Sequence, residues 1–178
     1  MADYELVNKE LHRNIHFKTP SHFSFAQNES MIPIGHSELS ILVKDLPVVF
    51  MKDADDKFHL TLLLSLIPGN NELIDDSGSW KLPYVPAILR CHPFKLISLQ
   101  NSEKGGAPQK VLGFLKDSPF IKFENEGGTS PLFNTEGHLT ERAQHLNKLL
   151  SSLDQETSTT SKQLQNYLNS SYLLNYQH

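Results

Sequence analysis

Residues 78–94, "GSWKLPYVPAILRCHPF", hold the chain's only Trp, its only Cys, three of its ten Pro, an Arg and a His. Two kinds of chemistry fit that density. Trp80, Tyr84 and Phe94 could stack on a ligand while Arg90 clamps a carboxylate or phosphate through its planar fork. Alternatively the stretch is a packing corner. Trp is usually buried with its N–H satisfied, prolines fix the path, and Arg90 could bond carbonyls left open at a helix end. Both readings stand at this level. The polar run "FAQNES" (25–30) adds Gln27, Asn28 and Glu29 as groups that could bond a ligand or simply form a turn. Trp80, Tyr84, Arg90, Gln27 and Glu38 are therefore the candidate ligand- or partner-binding residues.

Other chemistries find less support. His12 and His16 are four apart, and His36 lies close to Glu38, but no Cys or acidic cluster completes a metal site. "DADD" (53–56) lacks the remaining ligands of a calcium loop and reads as a solvated turn. There is no G-x-S-x-G elbow for a nucleophilic serine, no phosphate-binding G-x-x-x-x-G-K-[ST], and no G-x-G-x-x-G. One Cys cannot form an internal disulfide, and Cys91 reads as a small buried residue. No metal, no cofactor and no bond chemistry are expected.

The elements that would position these groups are read from pattern. "NIHFK" (14–18) and "HFSFAQ" (22–27) read as strands, and Pro33 keeps "SMIPIG" (30–35) extended. Leu39, Leu42, Val43 and Leu46 make one helical face over 36–46, with Ser37 as a plausible N-cap and Pro47 as the stop. "VVFMKD" (48–53) reads as a buried strand. "FHLTLLLSLIPG" suits strand or helix equally. "ELI" (72–74) reads as a short strand between turns. A helix fits 86–91 with Pro86 in its first turn, ended by Pro93, then a strand at 94–99. A loop over 101–109 precedes two further strands, "KVLGFLKD" and "FIKFENEGG". From Leu139 the positions 139, 143, 146, 150 and 153 form one stripe, with Thr140 able to cap the start. The Thr/Ser-rich stretch 157–161 predicts a break near 155–160 and a second helix beyond it. Leu164, Leu168, Tyr172 and Leu173 then make an apolar face, with Tyr167 and Tyr176 beside it, suited to another subunit.

The chain has 178 residues, 38% apolar and 20% charged, enough for one globular body with a real core. A net charge of −4 without a basic run argues against nucleic acid. The start carries no apolar signal segment, and the longest apolar run, residues 60–69, is too short to span a bilayer. A cytoplasmic location is expected by default, with surface association by a signal-independent route left open.

Five stretches resemble, in order, the bacterial SapC family: "HRNIHF", "FAQNESMIPIGHSEL", "LPVVF", "PGNNELIDDSGSWKLPYVPAILRCHPF" and "PLFNTEGHLTERAQHL". The longest motif is Trp80-x-x-x-Tyr84-x-Pro86-x-x-x-Arg90-x-x-Pro93-Phe94, and Glu38, Pro47 and Phe50 also match. The chain is shorter than usual for that family between Leu99 and Pro131, and has "KLP" after Trp80 where members often have Gly. The resemblance implies a bacterial protein associated with a surface layer and supplies no defined activity. We therefore expect an α+β domain with a bent mixed or antiparallel sheet over residues 1–138, and a C-terminal helical arm over 139–178 of the same domain. The expected function is non-enzymatic binding or assembly with a protein partner or a second copy. The alternative is an accessory module that binds a small carboxylate or peptide through the Trp80–Arg90 segment.

Overall fold

A computed structural model describes residues 3–54, 56–99 and 109–175, with side chains to residue 170. In chain order the elements are β1 (Tyr4–Leu6), β2 (His16–Phe17), a 3-10 turn (Ser24–Ala26), β3 (Met31–Pro33), and a second 3-10 turn (His36–Glu38) leading into α1 (Leu39–Leu42). Then come β4 (Val48–Lys52), β5 (Phe58–Leu63), α2 (Ala87–Arg90), β6 (Phe94–Leu99), β7 (Gln109–Leu115), β8 (Ile121–Lys122), β9 (Ser130–Pro131) and α3 (Glu141–Asn175). The class is α+β, as expected: antiparallel sheets, a few short helices and one long C-terminal helix. The strands form three three-stranded antiparallel sheets, ordered β1-β7-β6, β8-β2-β9 and β3-β5-β4. Among the described residues no helix is long and apolar enough to cross a membrane.

The chain divides into two compact units. The first takes residues up to Pro20 and 90–151. Its core is aromatic. Phe94 and Phe114 are a cross-strand pair of β6 and β7, and Phe17 of β2 meets Phe94 edge-on at 5.1 Å between centroids. Phe120, Ile15 and Leu132 are fully buried beside them. Cys91 is buried too, as expected. The opening turn of α3 adds Ala143, and Leu150 lies a further two turns on, both buried.

The second unit takes 21–89 and residues from Ser152 onward. Leu60 and Leu62 lie on one face of β5 and Thr61 on the other, and all three are buried. That two-sided burial explains the unbroken apolar run and settles the ambiguous stretch as a central strand. Around it gather Ala26, Ile32, Ile34, Leu42, Ile74 and Leu89, with Trp80 and Tyr84 packed on the outside.

Several expectations need correction. "HFSFAQ" is a 3-10 turn: the Ala26, Gln27 and Glu29 amides bond three residues back, and the Phe23 N–H reaches the Gly78 carbonyl. The helix over 36–46 is a 3-10 turn plus the single turn of α1, although helical bonds run on to Leu46. Ser37 is not its N-cap. Gly35 holds that position, and the Ser37 N–H goes instead to Glu156. β4 is mostly exposed because it is an edge strand. "ELI" contributes one isolated bridge, Ile74 to Trp80, because Asn71 and Asp75 claim the nearby amides. "FIKFENEGG" yields only the two residues of β8. The loop expected at 101–109 lies outside the described residues up to 108.

The C-terminal region is one helix without a break near 155–160. The Thr157 hydroxyl donates to the Leu153 carbonyl at 2.8 Å, and Thr159 to Gln155 at 2.9 Å. Back-bonding to the i−4 carbonyl lets threonine stay in a helix, so the composition did not stop it. Thr140 precedes the helix, but its hydroxyl donates to the Pro131 carbonyl rather than capping an amide. Continuity is testable. Thr160→Pro should cost about 3 kcal/mol or more in urea unfolding, with loss of helical circular dichroism. A cost near zero would place a break there.

Candidate functional site

The Trp80–Arg90 stretch starts from a turn. The Asp75 carboxylate accepts the Ser77 hydroxyl and the Ser77 and Ser79 amides, which holds its pKa below the usual value, the Ser77 hydroxyl first among the causes. Gly78 supplies the positive φ of 81° that the turn requires. A Cβ there would also strike the Ser24 side chain, so the turn seats against the 22–24 segment. Beyond it the Trp80 indole N–H donates to the Tyr84 carbonyl at 2.8 Å. The Phe23 ring lies 6.2 Å away, its plane inclined 62° to the indole.

Glu38 anchors the stretch from Tyr84 to Ala87. It is 4% exposed. One carboxylate oxygen accepts the Tyr84 hydroxyl at 2.9 Å and the Ala87 amide at 2.8 Å. The other accepts the Gly35 amide at 3.3 Å. A buried carboxylate is an acceptor only and needs donors in place of water. Here two come from a segment more than 45 residues away in sequence, and one satisfies an open amide at the start of α2.

Next to Glu38 a second carboxylate closes the same segment. Glu156 of α3 accepts the Ser37 amide at 3.0 Å and lies 3.8 Å from His36. Desolvation raises its pKa. The Ser37 amide and hydroxyl, His36 and Ser152 outweigh that and hold it below its ordinary value. Gly35 makes room, since a Cβ there would run into the Glu156 carboxylate and lie 3.1 Å from Leu153.

In the first unit Arg90 is exposed and lines a cavity of about 180 Å³. Lys18, His92, Arg142 and His145 line it with Arg90, and Phe17, Leu146 and Leu149 form its apolar wall. Arg142 donates to the Ser130 hydroxyl at 2.9 Å and the Thr19 hydroxyl at 2.5 Å, and its guanidinium lies 5.8 Å from the Phe17 centroid. Lys18 lies over the Phe120 ring at 5.9 Å, and the His92 ring meets Phe120 edge-on.

The candidates thus fall into separate settings. Trp80, Tyr84 and Glu38 share one hydrogen-bonded corner of the second unit. Gln27 ends the 3-10 turn at Ser24–Ala26, half-buried. Arg90 belongs to the cavity of the first unit. Leu164 and Leu168 are half-buried on α3 and Tyr167 is 68% exposed, while the side chains of Tyr172, Leu173 and Tyr176 lie outside the described residues. Lys18, His92, Arg142 and His145 were missed by sequence reasoning. The one signal for them was Arg142 and His145 three apart at the start of a helix, on one face with Leu146 and Leu149. His12 faces Glu5 at 3.0 Å, His16 the Asn14 carbonyl and His36 Glu156. Among the described residues no group of three metal-ligating side chains gathers.

A family model described as SapC matches residues 7–177. No curated protein and no solved structure matches the chain.

Glu156 sets a pH dependence. Its folded pKa lies below the ordinary 4.5, so its contribution is complete above that value and is lost as pH falls through the folded one. Chemical denaturation of Glu156→Gln between pH 6 and pH 3 should show a shallower loss of stability than the unsubstituted chain. Equal slopes would remove the Glu156 contribution. Gly35→Ala should cost about 1–3 kcal/mol, because the carboxylate must leave Ser37 to admit the methyl group.

Proposed function

The chain belongs to the SapC family, and from that premise we propose that it is a non-enzymatic binding or assembly protein, of the kind associated with bacterial surface layers. The observation that carries this reading is the outer half of α3. At 35 residues the helix is about 52 Å long, more than a small core can cover. Leu164, Tyr167 and Leu168 sit at i, i+3 and i+4 on it, and Tyr167 is largely exposed. Between Ser161 and Asn175 the only charged residue is Lys162, and the remainder is mainly Gln, Asn, Ser, Tyr and Leu. Such a face repels a copy of itself weakly, and tyrosine serves interfaces well. The proposed occupant is a second copy of this chain, joined by burial of apolar area plus amide and hydroxyl hydrogen bonds. Binding of a different protein is the outcome if the chain stays monomeric.

A second reading, recognition of a small carboxylate or peptide, is favoured by one observation: Arg90 opens onto a cavity rich in nitrogen bases. Trp80 and Tyr84, which sequence reasoning placed beside Arg90 in that role, are engaged with Glu38 and with each other.

Sedimentation velocity over a hundredfold concentration range tests the first reading. Reversible self-association is expected, and Tyr167→Glu with Leu168→Glu should abolish it without lowering the melting temperature. A monomer at every concentration would overturn self-association.

A further inference from the structure

We propose that the cavity of the first unit binds a small amphiphilic oxyanion: a carboxylate or phosphate head on a short apolar body. This deepens the second reading above and is independent of the α3 face. Five nitrogen-bearing side chains line the cavity, Lys18, Arg90, His92, Arg142 and His145, and among the described residues no carboxylate does. The chain as a whole carries −4, so the cluster runs against its average charge. Among the described residues neither Lys18 nor Arg142 pairs with a carboxylate. Arg142 is held by two neutral hydroxyls and the Phe17 face, and Lys18 by the Phe120 face. Those contacts orient both groups while leaving their charge uncompensated. A cation cluster beside a low-dielectric wall attracts an anion more strongly than the same charges scattered over a surface.

The apolar part of the lining sets the other half of the ligand. Phe17 is 2% exposed, and Leu146 and Leu149 are half-buried one turn along α3. A fully hydrated inorganic anion gains nothing from such a wall, whereas a short alkyl or aryl group buries area against it at about 25 cal/mol per Å². The volume of about 180 Å³ suits a body of about six to ten non-hydrogen atoms, since a cavity near 150 Å³ admits benzene. Arg90 and Arg142 both line the cavity, and a guanidinium is the side chain whose shape best matches a carboxylate or phosphate.

The test is calorimetric titration of the full chain with hexanoate, hexyl phosphate and hexylammonium, three probes of one body and different heads. Saturable one-to-one binding of at least one anion is expected, with no binding of hexylammonium. The anion that binds identifies the head. Arg142→Gln and Lys18→Gln should each weaken it about tenfold or more. Arg142 also holds Thr19 and Ser130, so where its substitution lowers the melting temperature, Lys18→Gln decides. Equal binding of all three probes, or unchanged affinity in Lys18→Gln, overturns the oxyanion assignment while leaving a binding cavity in place. Binding by none of the three, and by no short peptide tested alongside them, overturns the second reading itself.

Discussion

The Glu38 carboxylate is the constraint on which the second unit's corner depends. Burying an ionised group costs several kcal/mol unless every displaced water is replaced by a donor. The Tyr84 hydroxyl, the Ala87 amide and the Gly35 amide replace them. Each donor must arrive from a fixed direction, so the carboxylate dictates where 35–38 and 84–87 run relative to one another. Pro86, itself fully buried, holds the chain just ahead of the Ala87 amide. Trp80 then returns its N–H to the Tyr84 carbonyl, and the aromatic residues of the segment close over the Leu60–Leu62 core.

That arrangement gives the aromatic-rich segment a definite physical meaning. The indole and phenol that could have stacked on a ligand have their polar ends directed at partners within the chain. Recognition chemistry is better supported elsewhere, where cations are held by hydroxyls and ring faces rather than by acids. The contrast is between a carboxylate met by three donors and the Arg142 guanidinium and Lys18 ammonium, which pair with no carboxylate among the described residues. The first arrangement favours a fixed backbone path, the second an incoming anion. Glu156 shows an intermediate case. It too caps a short 3-10 turn, but through an acid-sensitive contact and against a glycine whose Cβ would displace the carboxylate.

Much of this was legible in the chain. Proline and apolar spacing placed β3, the turn of α1, α2 and β6 close to where they lie. The α3 stripe at 143, 150 and 153 is buried as its spacing requires. What failed did so for identifiable reasons. Period-two alternation in "HFSFAQ" signalled a strand, but the Ala26 and Gln27 amides bond locally and the Phe23 amide goes to the Gly78 carbonyl of a turn. Threonine composition signalled a helix break, yet hydroxyl back-bonding absorbed it. At the candidate sites, Glu38 stood out through its closeness to His36 and the family resemblance, and no spacing rule couples residues 38 and 84. The cavity was illegible for the same reason: Lys18, Arg90 and Arg142 come from three distant stretches, and only folding of the first unit assembles them.

The direct test of the central constraint is a double-mutant cycle of Glu38→Ala and Tyr84→Phe, read by urea denaturation at neutral pH. A hydrogen bond to a buried charge should give a coupling energy of about 1.5–3 kcal/mol. Additivity within about 0.5 kcal/mol would contradict it, and would mean that the Tyr84 hydroxyl bond to Glu38 does not fix the corner.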